Sequence, residues 1–173
     1  MKGKWAAGIP PRNFTWIIKD SLGVSERPGG FAPNHRKVRR QEEIIWLQAQ
    51  GFTTVVSLLP TSHNLQAYEE RDLPCVHFPL APSGDVRPTL AEIYRELHRR
   101  LRAGEQLLVH QEELGDRVMG VVAGYLQWSG RLPNGPQSVT VIEHMVGHPM
   151  GPPGRELVAA AGQLAPAGSD DGE

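Results

Sequence analysis

The chain has 173 residues, long enough to bury a real core within one domain. A formal net charge of −1, with 39% hydrophobic and 21% charged residues, gives no global pull towards nucleic acid or anionic membrane, and no apolar run is long enough to span a bilayer. The single Cys75 allows no internal disulfide and fits a reducing compartment. Lys2, Lys4, Pro10, Pro11 and Arg12 break up any N-terminal signal core, so a cytoplasmic chain is expected.

In chain order, residues 1–12 read as a flexible arm and Phe14 to Lys19 as a strand. A turn at Asp20-Ser21 leads to a second strand at Leu22 to Val24, and Arg27 to Pro33 is a Gly/Pro loop. A helix is predicted from His35 to Gln50, with Ile44, Ile45 and Leu47 on its apolar face and Gly51 as its stop. Thr53 to Leu59 reads as a buried strand. Ser62 is placed to cap a short helix reaching Glu70, and Val76 to Leu80 is the next strand. After a loop at Ala81 to Pro88, Thr89 and Glu92 form a capping-box pattern ahead of a helix to Arg102, which Gly104 ends. Gln106 to Val109 is a strand, Arg117 to Trp128 an apolar helix, Pro136 to Val146 another, and Gly154 to Leu164 a short last one. The small, acidic segment 165–173 is expected to be disordered.

Strands alternating with helical patterns predict an α/β domain over 13–164, with a central mostly parallel sheet flanked by helices. Ligands of such sheets bind beyond the carboxyl ends of the strands. The segment there is His110-Gln111-Glu112-Glu113-Leu114-Gly115-Asp116-Arg117, a tight loop between a strand and a helix start and the usual frame of an anion cradle. It is the candidate anion- or ligand-binding loop.

Several fragments in order resemble the atypical dual-specificity phosphatases of the cysteine-dependent protein tyrosine phosphatase superfamily. They are Asn13 to Ile18, Leu22-Gly23 through Arg27-Pro28, Gly51 to Leu58, Phe78-Pro79 through Pro88, Val109 to Arg117, Gly124 to Leu126 and Pro133 to Pro149, covering roughly residues 13–160. The resemblance implies a dual-specificity-phosphatase-like fold. In that family the signature loop reads His-Cys, five residues, Arg, then Ser or Thr. The thiolate attacks phosphorus, backbone N–H groups and the Arg hold the phosphate, and an Asp on another loop protonates the leaving oxygen.

Carried over to this sequence, His110 and Arg117 match, and Asp85 in an Asp-x-x-Pro setting falls on the general acid. Gln111 falls on the nucleophile, Leu114 and Asp116 on positions usually held by glycine, and Val118 on the hydroxyl residue. Asp85, Gln111 and Arg117 are therefore vestigial positions, with no catalytic set intact. A carboxamide is not a nucleophile at neutral pH, and Cys75, ahead of an apolar strand, reads as a small buried hydrophobe.

Glu112, Glu113 and Asp116 oppose a bound phosphate: like charges ~4–6 Å apart repel by roughly 3–4 kcal/mol at an effective dielectric near 20. If the loop's N–H groups point inward, Glu112 and Glu113 can instead face a partner. A competing reading has the loop cap its own helix, with Asp116 or Glu113 satisfying Arg117. A metal site from His110, Glu112, Glu113 and Asp116 has no ligand-spacing motif behind it, so neither metal nor cofactor is expected.

The basic run Arg36 to Arg40 precedes Glu42 and Glu43 and reads as a solvated face with i,i+3 and i,i+4 pairs. His98-Arg99-Arg100 and Arg102 read the same way, and His144 with His148 as a surface pair beside Pro149. Trp16, Trp46 and Trp128 are assigned to core or edge, and Trp5 to an exposed anchor in the arm.

The expected function is a catalytically inactive phosphatase homologue serving as a binding or regulatory module, with a protein or phosphoprotein partner, no membrane and no strong nucleic-acid signal. One alternative is a phosphoester hydrolase using water activated by Asp85 or Glu112. The other is a structural scaffold whose pocket is filled by its own side chains.

Overall fold

The computed structural model describes residues 8–30, 37–62 and 65–168. The chain divides into two compact units, each made from two stretches: Met1–Pro79 with Ala103–Leu114, and Leu80–Arg102 with Gly115–Glu173.

The first unit holds a five-stranded sheet in the order β1 (Thr15–Ile18), β2 (Leu22–Ser25), β5 (Leu107–His110), β3 (Thr54–Ser57) and β4 (Cys75–His77), with helices α1 (Lys37–Ala49) and α2 (Gln66–Glu69). β1 is antiparallel to β2, and every other pairing is parallel, as the alternation of strands and helices predicts. Every residue of β2, β3 and β5 is buried, which is why these segments read as apolar runs and not as alternating ones. Ile44 and Leu47 of α1 and Tyr68 of α2 join Phe52, Val55 and Leu108 in one core cluster. At its edge Trp16 stacks on Phe52 with ring centroids 5.2 Å apart, and Phe14 meets Trp16 and Trp46 edge-on. Gly23 admits that ring, since a Cβ there would lie 2.8 Å from Phe14. Gly51, at φ +91°, ends α1 as expected.

The second unit contains α3 (Arg87–Arg102), α4 (Asp116–Trp128), α5 (Gly135–Val146) and α6 (Pro152–Ala161). α3 buries Leu90, Ile93, Tyr94 and Leu97, one face at helical spacing. The backbones of α4 and α6 approach so closely that a Cβ on Gly120 would lie 2.5 Å from the Gly154 carbonyl oxygen. Asn134 caps α5 by accepting from the Gln137 N–H at 2.9 Å, and Gly147 closes it in the left-handed region.

Several boundaries differ from the sequence expectation. α3 starts at Arg87, not after Thr89, because Asp85 accepts the Arg87 N–H at 3.1 Å and Pro88 suits a first turn that needs no donor. α2 is only Gln66–Glu69, with Leu65 at its N-cap and no side-chain cap, so Ser62 does not play that part. β4 stops at His77, and Pro79 lacks the N–H needed to extend the ladder.

Ile9 donates its N–H to Glu42 O at 3.3 Å, Trp128 Nε1 donates to Ala165 O at 2.8 Å, and the Ala167 N–H donates to Trp128 O at 3.1 Å. Trp5 and His35, the predicted start of α1, lie outside the described residues, as do 169–173.

Candidate functional site

In the first unit, Ser25, His110 and Ser57 end β2, β5 and β3 in register, and all three are buried. This carboxyl edge of the parallel strands is where the candidate loop begins. The His110 imidazole sits between the Gln111 carbonyl, 3.1 Å from Nδ1, and the Tyr68 hydroxyl, 3.4 Å from Nε2. Burial pushes its pKa down to about 4, so the ring is neutral at physiological pH. Burial likewise pushes the Tyr68 phenol up, which leaves it protonated.

Gln111 is half-buried and lies over the end of β3, with its amide nitrogen donating to the Leu58 carbonyl at a long 3.4 Å. Neither oxygen nor nitrogen of this amide can take the nucleophile's part. The remaining thiol, Cys75 on β4, is raised to about 12 by burial first and by the nearby Glu69 charge second. It is a neutral thiol, not a thiolate.

The loop's first carboxylate is already engaged. Glu112 forms an ion pair with Arg27 at 3.0 Å, and its carbonyl accepts the Arg27 N–H at 3.2 Å. The Arg27 side chain is only 8% exposed, against 48% for Glu112, and Arg27 Nη2 is buried without a partner. Residues 25–30 thus form a strap tied to the loop at Arg27. The same strap is tied to α1, where the Gly29 N–H donates to the Glu43 carboxylate and Arg39 Nε reaches Glu43 at 2.9 Å. Glu43 is fully buried and its pKa is raised, by burial above all. Arg36 lies outside the described residues, Lys37 to Glu42 are exposed or partly exposed, and the expected solvated face fails at Glu43: the i,i+4 pair with Arg39 exists, but its acid is an interior anchor.

The other half of the loop belongs to the second unit. Gly115 is the extended N-cap of α4 and brings no side-chain cap. Asp116 turns away from its own helix and accepts the Gly151 N–H, at the start of α6, at 2.9 Å. Arg117 donates from Nη2 to the carbonyl of Ala81. The expected pairing of Arg117 with Asp116 is therefore not formed: Asp116 serves a donor that an incoming helix would otherwise leave open. Glu113 is exposed and Leu114 is buried.

Asp85, in the same unit as Arg117, is about half exposed and forms a two-point pair with Arg87 at 2.9 Å. The bound Arg87 guanidinium holds its carboxyl below the usual range. A carboxylate held ionised in this way is a poor proton donor. Among the described residues, no group of three or more His, Cys, Asp or Glu is arranged to hold a metal ion, and no helix is long and apolar enough to cross a membrane.

Sequence reasoning missed Arg27 and Glu43. Arg27 stands in a Gly/Pro loop with no periodicity, and only the pairing of β2 with β5 brings it to Glu112.

No protein-family model matches the chain, and no curated protein matches it. Solved structures do. A kinase-associated phosphatase carrying serine in place of its catalytic-site cysteine aligns with a TM-score of 0.72 at 20% identity, over 89% of this chain and 98% of that one. Human DUSP28 aligns with a TM-score of 0.65 at 16% identity, over 89% and 95%. The human tyrosine phosphatase-like serine/threonine/tyrosine-interacting protein aligns with a TM-score of 0.64 at 13% identity, over 87% and 93%. The chain has the α/β fold of the dual-specificity and tyrosine phosphatases.

Proposed function

We propose that this chain is a catalytically inactive member of that fold, working in the cytoplasm as a binding or regulatory module for a protein or phosphoprotein partner. What supports the reading is that Gln111 falls on the nucleophile's position when the family resemblance is carried over, while Cys75, the one cysteine of the sequence, is a neutral thiol on β4. No phospho-enzyme can form through either group. The hydrolase alternative would need water activated by Asp85 or Glu112. Each is already paired, with Arg87 and Arg27 respectively, which weakens that reading.

In the first unit the loop offers exposed Glu113 and half-exposed Glu112, and in the second unit it offers the partly exposed Arg117. The test is turnover of p-nitrophenyl phosphate by purified protein, with and without divalent ions, beside Arg117→Ala. The expected rate equals that of the variant. Turnover above the variant overturns the proposal, and turnover that a chelator abolishes would favour the water-activating hydrolase.

A second reading, a scaffold with a self-filled loop, draws support from the internal partners of Glu112 and Asp116. Titration with inorganic phosphate, followed through the amide resonances of residues 115–118, separates the two.

A further inference from the structure

In the second unit a groove of about 460 Å³ runs between α3 and the segment Leu164 to Gly168. Arg95, Arg99 and Arg102 line one side, and His98 and Trp128 contribute rings. The three guanidinium side chains recur at i, i+4 and i+7, so they share a helix face and step about 6 and 4.5 Å along its axis. The opposite wall is fixed, because Trp128 holds it at both Ala165 and Ala167. His98 stands edge-on to Trp128 with centroids 5.5 Å apart.

Compensation of the helix dipole accounts for basic residues in the last turn of α3, where Arg99, Arg100 and Arg102 lie. It does not account for Arg95, two turns from the end. Glu96 pairs with both Arg99 and Arg100, while Arg95 and Arg102 are exposed at the groove.

We propose that this groove binds an acidic segment of a partner protein in extended conformation. Side chains on one side of an extended strand recur about every 6.6–6.8 Å, close to the Arg95–Arg99 step, so carboxylates at two alternate positions meet those two guanidinium groups, and Arg102 one turn further adds its charge at the groove's end. An apolar side chain between them rests on Trp128 and Leu164. A nucleic-acid strand is disfavoured, since such binding draws its affinity from many phosphate contacts and the groove offers three arginines on a chain of net charge −1. The site uses no residue of the loop, so it stands or falls independently of the inactive-enzyme reading.

The experiment is fluorescence anisotropy of a labelled peptide alternating Glu and Ala around a central Phe, titrated with the full chain. Saturable binding that weakens with salt is expected, with none for the Gln-for-Glu peptide. Joint Arg95→Glu and Arg102→Glu should weaken it by at least about tenfold, through two lost attractions and two added repulsions. Joint Lys19→Glu and Arg71→Glu, with the same net charge, should not. Matching thermal unfolding of all variants shows that folding is not the cause.

Absence of saturable binding, or equal loss in both double variants, overturns the proposal. So does an oligouridylate that binds as tightly with the same arginine dependence, which would make the ligand a nucleic acid. The sequence continues past Gly168 with Asp170, Asp171 and Glu173. Binding seen only in a chain ending at Gly168 would give the groove to the protein's own acidic end and overturn the partner.

Discussion

The first half of the loop, 110–114, is anchored by neutralisation, whereas the second, 115–117, is anchored without it. In the first unit Glu112 meets the buried charge of Arg27, and His110 is kept uncharged by burial. In the second, Arg117 rests on a neutral carbonyl and Asp116 on a backbone N–H. A charge paired with its opposite offers little to a ligand. A cation on a neutral, partly exposed acceptor keeps nearly all of its field. The loop thus holds one half whose carboxylate is neutralised by an ion pair and one half whose cation has only a neutral partner.

The largest expected effect concerns the first half's anchor. Glu43→Ala removes the acceptor of the Gly29 N–H and the partner of Arg39, both from a fully buried position. It should cost about 3–4 kcal/mol in urea unfolding. A loss under about 1 kcal/mol would mean that the strap is not held through α1, and the contrast between the halves would lose its basis.

Next in size is the pH dependence from His110. Its folded pKa of about 4 lies below the ordinary imidazole value of 6.5, so between these values the unfolded state binds the extra proton. The contribution is fully present above pH 6.5, falls as the pH drops towards 4, and amounts to roughly 3 kcal/mol in all. His110→Asn should flatten this slope. Comparing the two proteins isolates it from buried acids such as Glu43, whose raised pKa acts in the opposite sense. Equal slopes would show that His110 is protonated in the folded state.

These two effects also mark what the sequence could convey. The strand–loop–helix frame was legible because β5 is apolar, the loop polar and α4 apolar again. The stop at Gly51 was legible too, since a chain leaving a helix at positive φ needs glycine. The burial of Glu43 was not. A Glu four residues after an Arg on a helix reads as a surface pair, and only the strap's N–H, fourteen residues earlier, turns it inward. The exchange at Arg117 was hidden for the same reason: Asp116 is adjacent in sequence, but it serves Gly151, thirty-five residues later. Local patterns disclose elements, whereas the partner of a polar group depends on which elements meet.

A middle-sized effect tests the ion pair itself. Glu112→Ala leaves the Arg27 guanidinium buried with Nη1 as well as Nη2 unpartnered, and should cost about 2 kcal/mol. Arg27→Met strands only a half-exposed carboxylate and should cost under about 1 kcal/mol. The double variant should therefore be more stable than Glu112→Ala alone. Additive losses in the cycle would show that the two side chains do not interact, and that the first half is not held by neutralisation.

The smallest effect on stability is the most informative about function. Arg117→Ala gives up one hydrogen bond to the Ala81 carbonyl at a partly exposed position and should change stability by less than about 0.5 kcal/mol. Yet that bond is easily exchanged, since an anion has only to displace a neutral oxygen from a guanidinium whose geometry favours two-point contact. Inorganic phosphate should therefore shift the amide resonances of residues 115–118 in the wild-type chain, leave those of Arg117→Ala in place, and shift Glu112→Gln like the wild type. Shifts that survive Arg117→Ala would move anion recognition to the strap side. No shifts in any of the three proteins would mean that both halves are equally closed, and the loop would then be the self-filled element of a scaffold.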